Sequence, residues 1–258
     1  MKIEGQVIVI TGAGGGIGRA LARRFKAEKA KAIVVSDRDP KAAEAVAAEV
    51  GGVAIACDVS VEAQLQKLVS QTLERFGRVD LFCSNAGFGL GTGIEAPDAQ
   101  WQAVWSVNVM SHVWAMRALL PAFTAQKSGY FLITSSAAGL LAMVGDAAYT
   151  VAKHGAVALA EWLSITYGAM GVKVSALCPL FVNTPLLQGA IEVAGEKTVA
   201  ALGRTIEPEQ VADAVLKGLE SETFLILPHE EVADLYAKKV GNRDRWLASM
   251  RKLSPSHG

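Results

Sequence analysis

The sequence predicts an α/β fold, a parallel sheet covered by helices on both faces. Three observations predict it. Short apolar, β-branched runs alternate with stretches of helical periodicity from Gln6 to Leu227. The chain opens with an apolar strand, a glycine turn and a helix in immediate succession. Its 258 residues suit one large α/β domain, spanning 1–258, in which 229–258 forms a C-terminal helical extension.

The elements follow in order. Gln6 to Thr11 reads as a buried strand, too short and too β-branched for a helix. Gly12-Ala13-Gly14-Gly15-Gly16-Ile17-Gly18 follows, and Ile17 to Lys29 is helical, with Leu21, Ala22 and Phe25 on one side. This is the context a dinucleotide turn requires: glycines admit a pyrophosphate close to the backbone, and the helix N-terminus offers N–H groups. Ala32 to Ser36 is the second strand, closed by Asp37. A carboxylate there can accept from ribose hydroxyls and repels a 2′-phosphate, whereas the adjacent Arg38 could hold one. Asp39, just before Pro40, suits the helix cap better than Asp37 does.

Lys41 to Val50 is a helix, and Val53 to Cys57 is a strand ended by Asp58-Val59. Asp58 either accepts from an adenine amino group or caps the helix that starts near Val61. Asp80 to Cys83 is the fourth strand, and the small residues of Asn85-Ala86-Gly87 after it let the backbone run past a cofactor. Asp98 to Ala125 is one long helix capped by Asp98, with Asn108 in its middle among apolar neighbours. A polar amide there needs partners, a water or a distorted turn.

Gly129 to Thr134 is the fifth strand, Gly145 to Gly168 a helix, and Val172 to Leu177 the sixth strand. The loop Cys178 to Pro185 lies at a strand end, where open α/β sheets bind ligands. Leu186 to Ala201 reads as a mobile, partly apolar segment. Pro208 to Leu219 is a helix, Phe224 to Leu227 a last short strand, and Glu230 to Lys252 helical with a break at Gly241-Asn242.

Tyr149 and Lys153 stand four residues apart and share one helix face. A cation so close favours the phenolate and is expected to lower the Tyr149 pKa, giving a proton acceptor near neutral pH. Ser136, at the end of the preceding strand, can face Tyr149 across a crevice, so that two hydroxyls grip one substrate oxygen. A Tyr-x-x-x-Lys match alone arises by chance in about one such chain in five, as an ordinary surface pair. Its context distinguishes it here.

Composition excludes other classes. Net charge is zero, which gives no electrostatic reason to expect nucleic acid or an anionic membrane. No apolar run approaches a membrane span of ~18 residues, and the N-terminus lacks a signal-peptide layout. Cys57, Cys83 and Cys178 end apolar runs without paired spacing, which points to buried thiols in a reducing, cytoplasmic compartment. His112, His154, His229 and His257 are scattered without ligand-spaced partners, so no metal is expected.

Together these motifs resemble the short-chain dehydrogenase/reductase family over residues 5–228. Thr11-Gly12-x-x-x-Gly16-x-Gly18 resembles its cofactor turn, and Asn85-Ala86-Gly87 its Asn-Ala-Gly element. Asn108, Ser136, Tyr149 and Lys153 match its catalytic tetrad in order and spacing. The resemblance implies one Rossmann-type, doubly wound domain with about seven parallel strands, and hydride transfer to or from a nicotinamide. It implies Tyr149 as acid/base, Ser136 as holder of the substrate oxygen, Lys153 as tuner of the Tyr and ligand of the nicotinamide ribose, and Asn108 in a proton relay. Cofactor contacts are expected from Gly12, Gly16, Ile17, Gly18, Asp37, Asp58, Val59, Asn85, Ala86, Gly87, Tyr149, Lys153, Pro179, the Val182 backbone and the Thr184 hydroxyl. A homodimer or homotetramer is implied.

Three features depart from the family pattern. Ser84 stands where Asn is common, Leu180 follows Pro179 where Gly is usual, and Leu225-Ile226-Leu227-Pro228-His229 with further helix replaces a glycine-rich finish. The reading is an NAD-dependent oxidoreductase for a neutral, largely apolar secondary alcohol or ketone. The alternatives are an NADPH-dependent ketoreductase, which the Asp37-Arg38 pair discriminates, and a non-catalytic dinucleotide-binding regulator. Phe88 to Ile94, Ala137 to Val144 and Leu180 to Val193 are expected to surround the substrate; they hold no Arg or Lys, and Glu95 and Glu192 are the nearest carboxylates.

Overall fold

The computed structural model describes residues 1–194 and 203–253. Seven parallel strands form one sheet: β1 (Val7–Thr11), β2 (Ala32–Asp37), β3 (Val53–Ala56), β4 (Leu81–Ser84), β5 (Gly129–Thr134), β6 (Val172–Leu177) and β9 (Leu225–Ile226). Their order is β3-β2-β1-β4-β5-β6-β9. The winding direction reverses between β1 and β4, and ligands of open α/β sheets bind in the crevice at such a point. Alternation along each strand divides the core in two. Ile8, Ile10, Leu81 and Leu132 face one helical layer, while Val9, Phe82, Phe131 and Ile133 face the other.

The first layer contains α1 (Gly16–Ala27), α2 (Pro40–Val50) and α8 (Pro208–Ser221). The second contains α3 (Glu62–Phe76), α5 (Ser111–Gln126) and α6 (Ala147–Tyr167). As expected, Asp39 caps α2 by accepting from Lys41 N at 2.9 Å, which leaves Asp37 at the strand end. Asp58 does not cap α3; its Oδ1 accepts from Ser60 N and Ser60 Oγ, at 2.9 and 2.7 Å, in the turn before it.

The long helix differs from expectation. It begins as α4 (Asp98–Trp105), passes through one π-helical turn at Ser106–Met110, and continues as α5. Asn108 causes the break. Its Nδ2 donates to Val104 O at 3.1 Å, the carbonyl that its own backbone N–H would use in an α-helix. Asp98 lies in the first turn without capping it.

Two features of the C-terminal half were not foreseen. Phe181–Val182 (β7) pairs in parallel with Thr205–Ile206 (β8), and Pro185–Ala194 is helical (α7). The remainder of the segment expected to be mobile, 195–201, lies outside the described residues. The extension forms α9 (Glu231–Gly241) and α10 (Arg243–Leu253), broken at Asn242 as expected. Trp246 and Met250 pack on this chain's own core, whereas Leu247 is exposed.

Candidate active site

A cleft of about 620 Å³ crosses the C-terminal ends of β1, β4, β5 and β6. At its floor Gly12 has φ +63°, and a Cβ there would stand 2.8 Å from Ala86 Cα, so only glycine lets the two loops meet. Thr11 Oγ1 accepts from Asn85 N and Ala86 N at 3.0 and 3.3 Å. Asn85 returns Nδ2 to Thr11 O at 3.0 Å and accepts from Thr134 Oγ1 at 3.1 Å, tying three strand ends together.

Gly12, Gly16, Ile17, Asp37, Asp58, Val59, Asn85, Ala86, Gly87, Ser136, Tyr149, Lys153, Pro179, Val182 and Thr184 all line the cleft. Gly18 does not. A Cβ at Gly18 would lie 2.3 Å from Gly12 O, so this glycine serves the packing of α1 against its own turn. The remaining cradle fits a pyrophosphate: a Cβ at Gly15 would meet nothing within 4 Å, and no side chain caps the N-terminus of α1. Asp37 stands at the far end, accepting from Gly14 N at 3.0 Å through Oδ2 and from Asp39 N at 3.1 Å through Oδ1. Arg38 is exposed beside it and lines the same space.

At the other end, the Ser136 hydroxyl accepts from Ala138 N at 3.0 Å and donates to Pro179 O at 3.5 Å. Lys153, 2% exposed, donates through Nζ to Thr134 O at 2.9 Å and lies 5.5 Å from the centroid of the Tyr149 ring. The expected lowering of the Tyr149 pKa is not found. Burial raises the phenol to about 12, with the Ser136 hydroxyl pulling it partly back and the Asp146 charge pushing it further up. Burial pushes Lys153 down to about 8.

Asn108 is fully buried and stands behind the lining instead of in it. Its Nδ2 also donates to Phe88 O at 2.8 Å, while its Oδ1 has no hydrogen-bond partner among the described residues. A Cβ at Gly87 would approach that Oδ1 to 2.7 Å and Lys153 Nζ to 3.1 Å. Glycine thus keeps open the route between the amide and the ammonium group.

Sequence reasoning passed over Asp146. Its Oδ1 accepts from Tyr149 N at 3.0 Å, and its Oδ2 from Leu90 N and Gly91 N at 2.9 and 2.8 Å. It caps α6 and holds the loop at Leu90 and Gly91 against that helix. An Asp three residues ahead of Tyr149 was the legible sign. Ser84 also acquires a partner: it bonds to His112 Nδ1 at 2.6 Å, and burial keeps that imidazole neutral, pushed down to about 3.

The segments expected to surround a substrate contribute Phe88, Leu90, Met143, Val144, Leu180, Phe181, Leu186, Leu187 and Glu192 to the lining of the cleft. Leu141, expected there, belongs to the core and borders a smaller neighbouring cavity. The three cysteines are buried free thiols. Among the described residues no helix is long and apolar enough to cross a membrane, and no cluster of three metal-ligating side chains occurs.

The comparisons agree with this geometry. Residues 6–193 match the family described as short chain dehydrogenase. The chain is 34% identical over 228 residues to meso-2,3-butanediol dehydrogenase of Serratia marcescens, covering 86% of this chain and 90% of that protein. It is 30% identical to human estradiol 17-beta-dehydrogenase 11, covering 98% and 85% respectively. A short chain dehydrogenase/reductase from Burkholderia phymatum, solved in complex with NAD, superposes with a TM-score of 0.83 at 27% identity, covering 93% of this chain and 96% of that one. The chain therefore belongs to the short-chain dehydrogenase/reductase family, oxidoreductases that act on alcohols and ketones with a nicotinamide dinucleotide.

Proposed function

We propose that this protein is an NAD-dependent dehydrogenase/reductase of a neutral, largely apolar secondary alcohol and its ketone. It is read as a single catalytic domain that works in the cytoplasm as a homodimer or homotetramer. One observation carries the coenzyme choice: the Asp37 carboxylate lines the cleft at the end of β2 and is not consumed as a helix cap. It would accept from ribose hydroxyls and repel a 2′-phosphate. Arg38 lines the same space and favours a second reading, use of NADP.

The bound nicotinamide supplies or accepts the hydride. This chain's residues do the rest. Ser136 and Tyr149 hold the substrate oxygen between two hydroxyls. Tyr149 delivers its proton to that oxygen when a ketone is reduced and takes it back when an alcohol is oxidised. Its raised pKa keeps it protonated through neutral pH in the free protein, the state needed for reduction. Lys153 would hold the nicotinamide ribose, and Asn108 Oδ1, facing Lys153 across Gly87, would continue the proton path. Val182 and Thr184 would hold the carboxamide end.

The substrate class follows from the wall. Among the described residues no Arg or Lys lines the substrate half, and Asp146, whose charge raises the phenol, is occupied by three backbone N–H groups. Burying a substrate carboxylate or phosphate there without a partner costs several kcal/mol. The test is reduction of NAD by purified protein against a panel of secondary alcohols, repeated with NADP. Equal efficiency with both coenzymes would defeat the NAD assignment; coenzyme binding without turnover of any alcohol or ketone would leave a regulatory binding protein.

A further inference from the structure

Two departures from the family pattern, Leu180 and His229, lie 49 positions apart and meet in space. Leu180 N donates to His229 Nδ1 at 3.2 Å, and His229 Nε2 lies 3.1 Å from Phe181 O. A backbone N–H can only donate and a carbonyl can only accept. His229 is therefore neutral, with its proton on Nε2. It is fully buried, just ahead of α9, and reaches the cleft's wall from behind.

The stretch it grips runs directly into functional backbone. Pro179 O accepts from Ala137 N at 2.7 Å, Phe181–Val182 forms β7, and the Thr184 methyl lies against Gly16. Leu180 itself has one flank on the cleft and another on the small cavity bordered by Leu235, Trp246 and Met250. Side-chain packing alone would leave this backbone free to shift along its own direction; two opposed hydrogen bonds to one rigid ring do not.

We infer that His229 is a positioning residue: through the Leu180 N–H and the Phe181 carbonyl it fixes the loop that presents Val182 and Thr184 to the nicotinamide. This rests on the proposed reading of that loop as the carboxamide holder. The device requires the neutral imidazole, since a proton on Nδ1 removes the acceptor for Leu180 N–H. Burial lowers the His229 pKa from its ordinary value; of the charged groups facing it, Glu231 favours the proton and Arg204 opposes it. The lowered pKa keeps the ring in its working form through neutral pH. The grip is present above the ordinary His range and weakens as pH falls below it.

The experiment compares the parent with His229→Phe, which keeps a ring and loses both bonds, His229→Asn, which can still accept near Nδ1, and His229→Gln, which can still donate near Nε2. NADH dissociation constants are read by coenzyme fluorescence from pH 5 to 8, alongside KM and kcat. The expected result is a dissociation constant raised about tenfold in the Phe variant, with partial rescue in Asn or Gln. In the parent, NADH should bind more weakly toward pH 5, and imidazole ¹⁵N shifts should show the Nε2–H tautomer at neutral pH. The inference is overturned if the Phe variant binds NADH like the parent, if Asn and Gln fare no better than Phe, or if the parent ring is the Nδ1–H tautomer. The tautomer measurement needs no variant, so a Phe variant that fails to fold does not shield the idea. A parent that binds NADH but oxidises no alcohol defeats the proposed function alone; one that binds neither NADH nor NADPH defeats both.

Discussion

Lys153 Nζ lies 5.5 Å from the Tyr149 ring centroid on one face of α6, yet the phenol is raised to about 12 while the lysine falls to about 8. Desolvation is the leading cause in both groups. Burial shifts each group toward its neutral form, and the expected push toward phenolate is absent from the free protein.

This arrangement has a cost in stability that can be measured. The unfolded chain keeps the Lys153 proton up to 10.5, while the folded chain releases it near 8. Between those values the unfolded state binds more protons, so stability rises with pH; below them the penalty is full. Lys153→Met should therefore stabilise the protein at pH 7 by on the order of 2 kcal/mol, after allowing for the lost bond to Thr134 O. The gain should shrink toward pH 10. Denaturant unfolding at the two pH values checks both signs, and a variant less stable than the parent at pH 7 would contradict the burial argument.

Tyr149→Phe should reduce turnover by about 10³-fold while leaving NADH affinity near that of the parent, since the ring still fills its place. Lys153→Met should lose turnover as well and also weaken NADH binding. Fluorescence titration beside steady-state kinetics separates the two roles; similar losses of NADH affinity in both variants would refute the division.

Coenzyme preference should rest on Asp37. NAD is expected to be favoured over NADP by at least tenfold, about 1.4 kcal/mol. Asp37→Ala should erode that margin by opening Arg38 to the 2′-phosphate. The measurement is kcat/KM for each coenzyme at one alcohol concentration, before and after the substitution.

The sheet was legible because buried parallel strands are short, apolar and β-branched, and glycine turns punctuate them. The residues at or just beyond the strand ends, such as Asp37 and Ser136, and Tyr149 on the following helix were legible by position along the chain. Contacts that join distant segments were not. Asp146 reaching Leu90, and His229 reaching Leu180, depend on how separate loops converge, which no local pattern encodes. The π-helical turn was half legible: a buried Asn108 announced a distortion, but its form depended on Val104 O being taken by the side chain. The Tyr149 pKa was misread because sequence spacing reveals the neighbouring charge and conceals the depth of burial.

Assembly should involve the outer faces of α4 and α6. Trp105, Val151, Trp162 and Ile165 are all exposed there, the last at 83%. An apolar face of this kind is a docking surface more often than a solvated one. Sedimentation at micromolar concentration should show a dimer or tetramer, and Trp162→Glu should shift it toward monomer. A monomeric parent would end the proposal.

The substrate prediction follows from the two sides of the cleft. In the proposed reading the cofactor half carries Asp37, Arg38 and Lys153, while the substrate half is bounded by Phe88, Leu90, Met143, Val144, Leu186 and Leu187. Each CH₂ buried against such a wall contributes about 0.8 kcal/mol. A carboxylate in the same place would meet no Arg or Lys of the described wall and would share the cleft with Glu192 and the engaged Asp146. A cyclic or long-chain secondary alcohol should therefore exceed a hydroxy acid of equal size in kcat/KM with NAD by at least about 100-fold, the equivalent of about 2.7 kcal/mol. Placing a positive charge in the wall, as Leu186→Arg, should narrow the gap by improving the hydroxy acid. If the parent enzyme prefers the hydroxy acid, the apolar wall is not where the substrate rests.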